Sequence, residues 1–405
     1  MAGSLMQGFP PAPEDQVSLA NWRTAPWSGW AFHHVREIVP SADIRNNPQQ
    51  QWSLEEALVN LGGVNIDLDA SGVMSIAGFM DEMHVDGLLV LHRDKIVFEQ
   101  YRNHMDRYAQ HILFSVSKSV LGMVSAVLEH QGILDAERPA AHYVEELKHT
   151  AYKDTTVRQL LDMQAAVTFD EDYLATEGPI IEYRKATGWN PLQQGEQPSD
   201  LRTFLQTLTE VSRENGGDFA YASPNTDLMA WVIERACNKS YASVVSETLW
   251  APMGAEASAY ITVDRNGAPR AAGGICTTLR DLARLGRLMA HDGKRETTQI
   301  LPSGWTEALV SKGDKAAWNN GSFAEKFPGI PFSYRSKWYV AHPHPADESQ
   351  WFLALGIHGQ NIYVDAKNDF VMVKFSSSPE PLSDKGPMQS FLAARAIRDY
   401  LVNHF

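Results

Sequence analysis

The chain has 405 residues, of which 44% are hydrophobic and 21% are charged, the composition of a globular protein long enough for two structural domains. Its formal net charge of −14 argues against a nucleic-acid partner and against an anionic membrane surface. No apolar run approaches the roughly 18 residues of a membrane-spanning helix. The segment from Met1 to Gln16 lacks the basic and apolar regions of a secretory signal. The two cysteines, Cys237 and Cys276, are too few for a disulfide framework, so we expect buried thiols and a cytoplasmic location.

Residues 1–80 are rich in proline, tryptophan and asparagine, and include Pro10-Pro11-Ala12-Pro13 and the tryptophans Trp22, Trp27 and Trp30. We interpret this segment as an extended arm whose aromatic side chains pack on the body of the protein. The first clear β pattern follows it. Two apolar runs, Leu88–Leu91 and Ile96–Phe98, flank Arg93-Asp94-Lys95 and predict a hairpin of two strands.

A helix is predicted to begin after Ser115 and to end near Gly132, because apolar residues recur between them with the spacing of a helix buried along one side. Lys118 lies one turn after Ser115, so its ammonium can reach the Ser115 hydroxyl. A helix N-terminus also stabilises negative charge. This is the chemistry of an acyl-transfer nucleophile. About one Ser-x-x-Lys is expected by chance in such a chain, so a buried helix with a polar first turn is the alternative.

The remaining elements are predicted from periodicity. Short helices are expected at Thr156–Met163 and Asp227–Cys237, and a longer one at Leu279–His291. The stretch Phe169–Gln197 has little periodicity, and a long irregular segment inside a domain is more often a functional loop than filler. The chain closes with three strands and a helix, at Phe352–Ile357, Ile362–Asp365, Phe370–Phe375 and Pro387–Val402.

Strands therefore lie early and late in the chain, with helices between them. We expect the early and late strands to pair in one antiparallel sheet, which makes the fold α/β (α+β). Residues 81–115 and 255–405 would form the α/β domain, residues 116–254 a mainly helical inserted domain, and residues 1–80 the packed N-terminal arm.

The chain contains, in order, Ser115-Val116-Ser117-Lys118, Tyr221-Ala222-Ser223 and a glycine-bearing strand at Gly356. This order resembles the serine β-lactamase and penicillin-binding-protein superfamily, especially its class C branch and related esterases. Other stretches are similar to the 6-aminohexanoate-dimer (nylon-oligomer) hydrolases, and the likeness covers nearly the whole chain. These stretches are Trp30-Ala31-Phe32, Leu161-Asp162-Met163-Gln164, Asp170-Glu171-Asp172-Tyr173, Gly273-Gly274-Ile275-Cys276 and Gly356-Ile357-His358-Gly359-Gln360-Asn361. The resemblance implies a β-lactamase-like fold with the active site in the cleft between the two domains.

The resemblance also implies catalytic roles and no cofactor. Ser115 would attack a carbonyl and form an acyl-enzyme, and a desolvated Lys118 would help to deprotonate it. Tyr221 would relay the proton to the leaving group and later activate water, with Lys118 tuning its phenol. The alternative for Tyr221 is a half-buried aromatic residue with a satisfied hydroxyl. The oxyanion hole would use the backbone N–H groups of Ser115 and Ile357, or of Ser115 and Asn361 if the third motif begins at His358.

Several positions are predicted to contact the substrate. Tyr173 matches a loop tyrosine that holds the substrate amide in the amide-hydrolysing relatives, and its alternative is a solvent-facing loop phenol. Arg184 and Ala272 stand where the nylon-oligomer hydrolases have an acidic residue and an asparagine, so this chain should hold an ammonium end poorly. The other predicted substrate-binding residues are Ser223, His358 and the pair Trp338 and Tyr339, which could equally belong to the core.

These observations predict a cofactor-free serine hydrolase, monomeric or homodimeric, that cleaves small esters and linear amides such as 6-aminohexanoate oligomers. β-Lactam turnover should be poor, because neither Ala354-Leu355-Gly356 nor His358-Gly359-Gln360 has the lysine of the lactamase triad. The alternatives are a non-catalytic binding protein on the same fold and a D-amino-acid peptidase. The histidines of His33-His34 and His342-Pro343-His344 lack zinc-site spacing and are expected at the surface.

Overall fold

The computed structural model describes residues 5–68, 72–321, 323–383 and 386–405. Its α helices are α1 (Ser28–Ala31), α2 (Ile76–Glu82), α3 (Val116–His130), α4 (Ala140–Tyr143), α5 (Val157–Leu161), α6 (Pro179–Ala186), α7 (Leu201–Thr207), α8 (Pro224–Cys237), α9 (Tyr241–Val245), α10 (Leu279–Ala290), α11 (Trp305–Ser311), α12 (Lys315–Asn320) and α13 (Gly386–His404). Its strands are β1 (Ser41–Ile44), β2 (Glu55–Glu56), β3 (Ile66–Asp67), β4 (Val73–Met74), β5 (Val85–His92), β6 (Lys95–Tyr101), β7 (His111–Ile112), β8 (Ala259–Thr262), β9 (Ile275–Thr277), β10 (Lys294–Arg295), β11 (Thr298–Gln299), β12 (Phe332–Arg335), β13 (Trp338–Ala341), β14 (Trp351–Gly356), β15 (Gln360–Asp365) and β16 (Phe370–Ser376).

An eight-stranded sheet with the order β12-β13-β14-β15-β16-β5-β6-β2 forms the centre of the protein. Its pairs are antiparallel except β2 with β6. The late strand β16 lies directly beside the early strand β5, with Met372 opposite Val90. This pairing confirms the predicted sheet of early and late strands. The predicted hairpin is also confirmed, and Arg93 and Asp94 make its turn with φ values of 49° and 66°.

Helices cover both faces of this sheet because alternate residues of each strand point to opposite sides. Leu89 and Leu91 of β5 belong to the same hydrophobic cluster as Leu285 of α10. Leu88 and Val90 belong to a second cluster, which includes Ile397 of α13. The strands thus lie between two hydrophobic layers, which is why β5 is buried along its whole length.

Helix α3 was expected to be buried on one side, but every residue from Val116 to Leu128 is buried. The reason is that elements enclose it on all sides, including α8, α9 and β14. Gly122 makes this enclosure close, because a Cβ there would lie 2.0 Å from the carbonyl oxygen of Ser336. A helix enclosed in this way holds its first turn firmly in place.

The N-terminal segment packs on the body, as far as the structure describes it. β1 pairs with β8 in a four-stranded sheet of the order β1-β8-β9-β7. The Nε1 atom of Trp22 donates a hydrogen bond of 3.1 Å to the carbonyl oxygen of Trp189. Residues 1–4 and 69–71 of the proposed arm lie outside the described residues, and the domain boundaries stay an interpretation.

Some local expectations were wrong. The stretch Phe169–Gln197 is not irregular throughout, because α6 begins at Pro179 and buries Ile180, Tyr183 and Ala186 at helical spacing. Cys276 is buried, whereas Cys237 is only half-buried.

The paired histidines do not lie at the surface as expected. His342 is buried, with Nε2 2.8 Å from the Ser333 hydroxyl, because β12 and β13 bring these two residues together. His33 and His34 are half-buried, and His34 stacks on Trp30 with ring centroids 3.9 Å apart.

In the part of the chain that the structure describes, no group of three or more His, Cys, Asp or Glu residues could hold a metal ion. In that same part, none of the helices has the combined length and apolar character that a membrane crossing requires.

Candidate active site

Ser115 stands immediately before α3, and its hydroxyl does not cap that helix. Phe114 adopts a φ of 43°, which turns the chain sharply between β7 and α3. The Nζ atom of Lys118 lies 2.9 Å from Ser115 Oγ and 2.7 Å from the carbonyl oxygen of Ala272. The contact predicted from the spacing of Ser115 and Lys118 therefore exists, and Ala272 fixes the amine from the other side.

Lys118 is held in a state suited to accepting a proton. Burial lowers its pKa to about 7, although the carboxylates of Glu171 and Asp227 oppose that shift. Near neutral pH a substantial fraction of Lys118 is therefore the free amine, which can accept the Ser115 proton. The Nζ atom also lies 4.8 Å from the centre of the Tyr221 ring, so the three residues of the predicted catalytic group are neighbours.

Tyr221 stacks on Phe323, with ring centroids 4.9 Å apart and an interplanar angle of 17°. Burial raises the pKa of its phenol well above the ordinary value. This is the opposite of the tuning expected from Lys118. Tyr221 is thus protonated in the resting protein and can donate a proton, while Lys118 is the group that accepts one.

Strand β14 ends against the first turn of α3. A Cβ on Gly356 would lie 2.6 Å from the carbonyl oxygen of Leu113 and 3.3 Å from the Ser115 nitrogen. Only glycine allows this approach, which places the next residue, Ile357, beside Ser115. Among the described residues, no backbone partner takes the Ser115 N–H. Asn361, the alternative oxyanion donor, lies inside β15 opposite Leu355 and Lys374.

Two cavities meet at Ser115, Tyr173 and Ile357, which line both of them. The larger one, here called the aromatic cavity, has a volume of about 90 Å³. Its other lining residues include Tyr221, Phe323, Phe327, Tyr339 and Leu355. The smaller one, here called the arginine cavity, has a volume of about 30 Å³. Its other lining residues include Arg23, Glu171, Arg184, Ser223, Arg270 and Ala272.

The loop residue Tyr173 is tied down by a carboxylate that sequence reasoning missed. Its hydroxyl donates a hydrogen bond of 2.7 Å to Glu171 Oε1. Glu171 also accepts hydrogen bonds from the backbone N–H and the hydroxyl of Ser223. Glu171 lies in the same stretch, Asp170-Glu171-Asp172-Tyr173, that indicated Tyr173. Its contact with Ser223, which is 52 residues away, has no local signature in the sequence.

Asp227, which was also not predicted from the sequence, holds the peptide group that contacts Lys118. Its Oδ1 atom accepts a 2.7 Å hydrogen bond from the Ala272 N–H, and its Oδ2 atom contacts Arg270 and Tyr183. These bonds orient the Ala272 peptide, whose carbonyl oxygen accepts a hydrogen bond from Lys118. The signal in the sequence was a carboxylate in the first turn of a helix, directly before the apolar run that begins at Leu228.

The structure places the remaining predicted substrate-binding residues as follows. Arg184 and Ala272 both line the arginine cavity, which agrees with the expectation that both residues contact the substrate. Tyr339 lines the aromatic cavity, whereas Trp338 is fully buried in the core and donates to the Ser119 carbonyl oxygen at 3.2 Å.

His358 was predicted to bind substrate, but the structure places it outside both cavities. It is buried with a φ of 58°, and its Nδ1 atom lies 2.7 Å from the Ser378 carbonyl oxygen. Its ring packs on Phe32 and Phe114. Among the described residues that line the two cavities, His358 does not appear. Through these contacts His358 stabilises the turn that follows Gly356.

Comparison with known proteins agrees with this architecture. The beta-lactamase family model matches residues 75–395, and the chain belongs to the beta-lactamase family. It is 34% identical over 376 residues to the 6-aminohexanoate-dimer hydrolase of Paenarthrobacter ureafaciens, covering 92% of this chain and 91% of the relative. The protein is thus an enzyme, a hydrolase of this family.

Solved structures share the fold. A Bacillus anthracis protein assigned as a 6-aminohexanoate-dimer hydrolase superposes with a TM-score of 0.85 and 28% identity, over 96% of this chain and 98% of that one. EstCE1, a hydrolase with promiscuous acyltransferase activity, superposes with a TM-score of 0.60 at 16% identity, over 80% of this chain and 96% of its own. At that identity the second likeness concerns the fold alone.

Proposed function

We propose that this enzyme cleaves small carboxylic esters and linear amides through an acyl-Ser115 intermediate. The observation that carries the proposal is the contact of 2.9 Å between Ser115 Oγ and the amine of Lys118, whose burial lowers its pKa to about 7. A serine hydroxyl becomes nucleophilic when such a base removes its proton. The name of the Paenarthrobacter relative supports the inclusion of linear amides.

The acylation step uses the groups at the junction of the two cavities. Lys118 accepts the Ser115 proton as Oγ attacks the substrate carbonyl. The N–H groups of Ser115 and Ile357 hold the oxyanion, and the close approach at Gly356 favours Ile357 over Asn361 as the second donor. The Tyr221 hydroxyl gives its proton to the leaving group and recovers one from the Lys118 ammonium.

Deacylation runs the same proton path in reverse. Water attacks the acyl carbonyl, the Lys118 and Tyr221 pair takes its proton, and Ser115 regains a hydrogen as the acid leaves. Tyr173, fixed through Glu171, lines both cavities together with Ser115, which supports its assignment as a residue that contacts the substrate. The strand from Ala354 to Gly356 has no lysine to hold a β-lactam carboxylate, so we expect little β-lactam turnover.

A fluorophosphonate label and turnover of 4-nitrophenyl butyrate test this proposal. Replacing Ser115→Ala should abolish labelling and reduce kcat/KM by about 10³-fold or more. Ser125→Ala is the matched control, since Ser125 is also buried in α3 and its hydroxyl has no hydrogen-bond partner among the described residues. The control should label and turn over like the wild type. An unlabelled and inactive wild type would favour a non-catalytic binding protein, and an active Ser115→Ala enzyme would exclude Ser115 as nucleophile.

A further inference from the structure

The arginine cavity carries an unusual concentration of positive charge next to the nucleophile. The guanidinium groups of Arg23, Arg184 and Arg270 all line it, and the amine of Lys118 adjoins it behind Ala272. Two carboxylates lie in or directly behind the cavity, those of Glu171 and Asp227, while the exposed Asp172 acts on Arg184 from outside the lining. Within the cavity itself the three guanidiniums therefore outnumber the carboxylates by one, even when Lys118 is neutral.

The hydrogen bonds of these carboxylates show which arginines remain available. Asp227 is paired with Arg270 and with the Ala272 N–H. Glu171 accepts hydrogen bonds from Tyr173 and from the N–H and hydroxyl of Ser223. Both carboxylates are thus already occupied by partners within the protein.

In the described structure, the hydrogen bonds of Arg23 and Arg184 go to neutral oxygens. Arg184 Nη2 donates to the Tyr173 carbonyl oxygen at 3.0 Å, and Arg23 Nη2 donates to the Asn190 side-chain oxygen. Within the described part of the chain, neither has a carboxylate at salt-bridge distance. The Nε atoms of Arg23 and Arg270 are buried and have no hydrogen-bond partner there. Burial and the neighbouring Arg184 and Arg270 lower the pKa of Arg23 to about 9.

The size of the cavity matches a carboxylate. Its volume of about 30 Å³ has room for roughly two water-sized groups, since one such group needs about 10–15 Å³. Arginine binds a carboxylate through two parallel hydrogen bonds, which would satisfy donors that the protein leaves free. A ligand ammonium would instead meet uncompensated guanidiniums.

We propose that the substrate carries a carboxylate, which Arg23 and Arg184 hold in the arginine cavity while an apolar portion enters the aromatic cavity. The preferred substrates are thus anionic esters or amides, such as monoesters of short dicarboxylic acids. This inference rests on the proposed function, because it assigns the substrate class of the Ser115 site.

Three methyl esters of equal length test the charge preference. Monomethyl adipate, methyl hexanoate and methyl 6-aminohexanoate differ at the far end, which is anionic, neutral or cationic. Hydrolysis followed by pH-stat should give a kcat/KM about tenfold or more higher for the anion than for the neutral ester, and lowest for the cation. A second pair, the hexanoyl ester of 3-hydroxypropanoate and propyl hexanoate, places the carboxylate on the alcohol side. A preference for the anion in either arm supports the proposal and shows which half carries it.

Substitutions test whether Arg184 causes the preference for the anionic ester. Arg184→Gln should reduce the ratio of anionic to neutral kcat/KM about tenfold, mainly through KM, and Arg184→Glu should favour the cationic ester. Arg265→Gln, at an exposed arginine outside both cavities, is the matched control and should leave the ratio unchanged. Equal kcat/KM values for anionic and neutral esters in both arms, or a wild-type preference for the cation, would overturn the inference. If that hydrolysis still depends on Ser115, the proposed function survives.

Discussion

Lys118 is the central residue of the proposed mechanism, because it is buried and also contacts the nucleophile, Ser115. A lysine in water keeps its proton at neutral pH, whereas burial here lowers the pKa of Lys118 to about 7. The charged form dominates below that pH and the free amine above it. The residue can therefore act as a base without a histidine or a metal ion.

This predicts a pH dependence that a substitution can remove. The kcat/KM of the wild type for 4-nitrophenyl butyrate should rise with pH and level off above an apparent pKa of about 7. Lys118→Arg keeps a positive charge but loses the free amine, so kcat/KM should fall by about 10²-fold or more. Stopped-flow rates between about pH 5.5 and 9 measure both effects. A wild-type profile that is flat through that range would contradict the assigned role.

At the scale of elements, the site depends on how closely β14 approaches α3. The contact of Lys118 with Ser115 was predictable from sequence, because residues three apart share a helix face. The approach of Gly356 to Ser115 was not, since it joins segments far apart in the chain. The strand itself and its glycine were predicted, but the distance is set by packing in the sheet.

Gly356→Ala should therefore damage activity more than stability. The added Cβ would contact the Leu113 carbonyl oxygen at 2.6 Å and push Ile357 away from the nucleophile. We expect kcat to fall by about 10²–10³-fold, as for loss of an oxyanion donor. Gly29→Ala is the control, since its Cβ would have its nearest neighbour, Ser377 Oγ, at 3.9 Å. Steady-state kinetics alongside thermal unfolding separate the two effects, and an active Gly356→Ala enzyme would argue against Ile357 as donor.

At the scale of the whole molecule, the sequence pattern predicted the central sheet, and tertiary packing determined the substrate cavities. The hairpin, α3 and the three late strands have strong local periodicity, so their positions followed from sequence. The arginine cavity instead combines Arg23 of the N-terminal arm with Arg184 of α6 and Arg270 of a loop. No local pattern relates these three residues. Helix α6 was itself missed because it is short and lies among glycines and prolines.

The fold also contains a buried lysine whose effect on the free energy of unfolding should be measurable. Lys374 of β16 is fully buried, its Nζ atom has no hydrogen-bond partner among the described residues, and burial lowers its pKa to about 7. In the unfolded chain this lysine keeps its proton up to about pH 10.5. The folded state is therefore penalised below about pH 7, and the penalty disappears as the pH rises towards 10.5.

Lys374→Met should thus stabilise the protein by roughly 1–3 kcal/mol at neutral pH. The gain should shrink as the pH approaches 10.5, the pKa of lysine in water, because the unfolded chain then also releases this proton and folding no longer requires its loss. Urea unfolding at about pH 7 and pH 10 gives the comparison. A variant that is less stable than the wild type at neutral pH would show that Lys374 has a partner or a packing role that outweighs its charge.

The central claim, an acyl-enzyme on Ser115, can be observed directly in the Tyr221→Phe enzyme. Nitrophenolate leaves without a proton, so acylation by 4-nitrophenyl butyrate should continue, whereas deacylation loses the phenol that relays the proton of the attacking water to Lys118. Acid quenching and peptide mass spectrometry should then find a butyryl group on the peptide that contains Ser115, at higher occupancy than in the wild type. Tyr241→Phe removes a buried hydroxyl that has no hydrogen-bond partner in the part of the chain that the structure describes, and it should show no such accumulation. A butyryl group on another residue, or turnover without any acylated Ser115, would contradict the account.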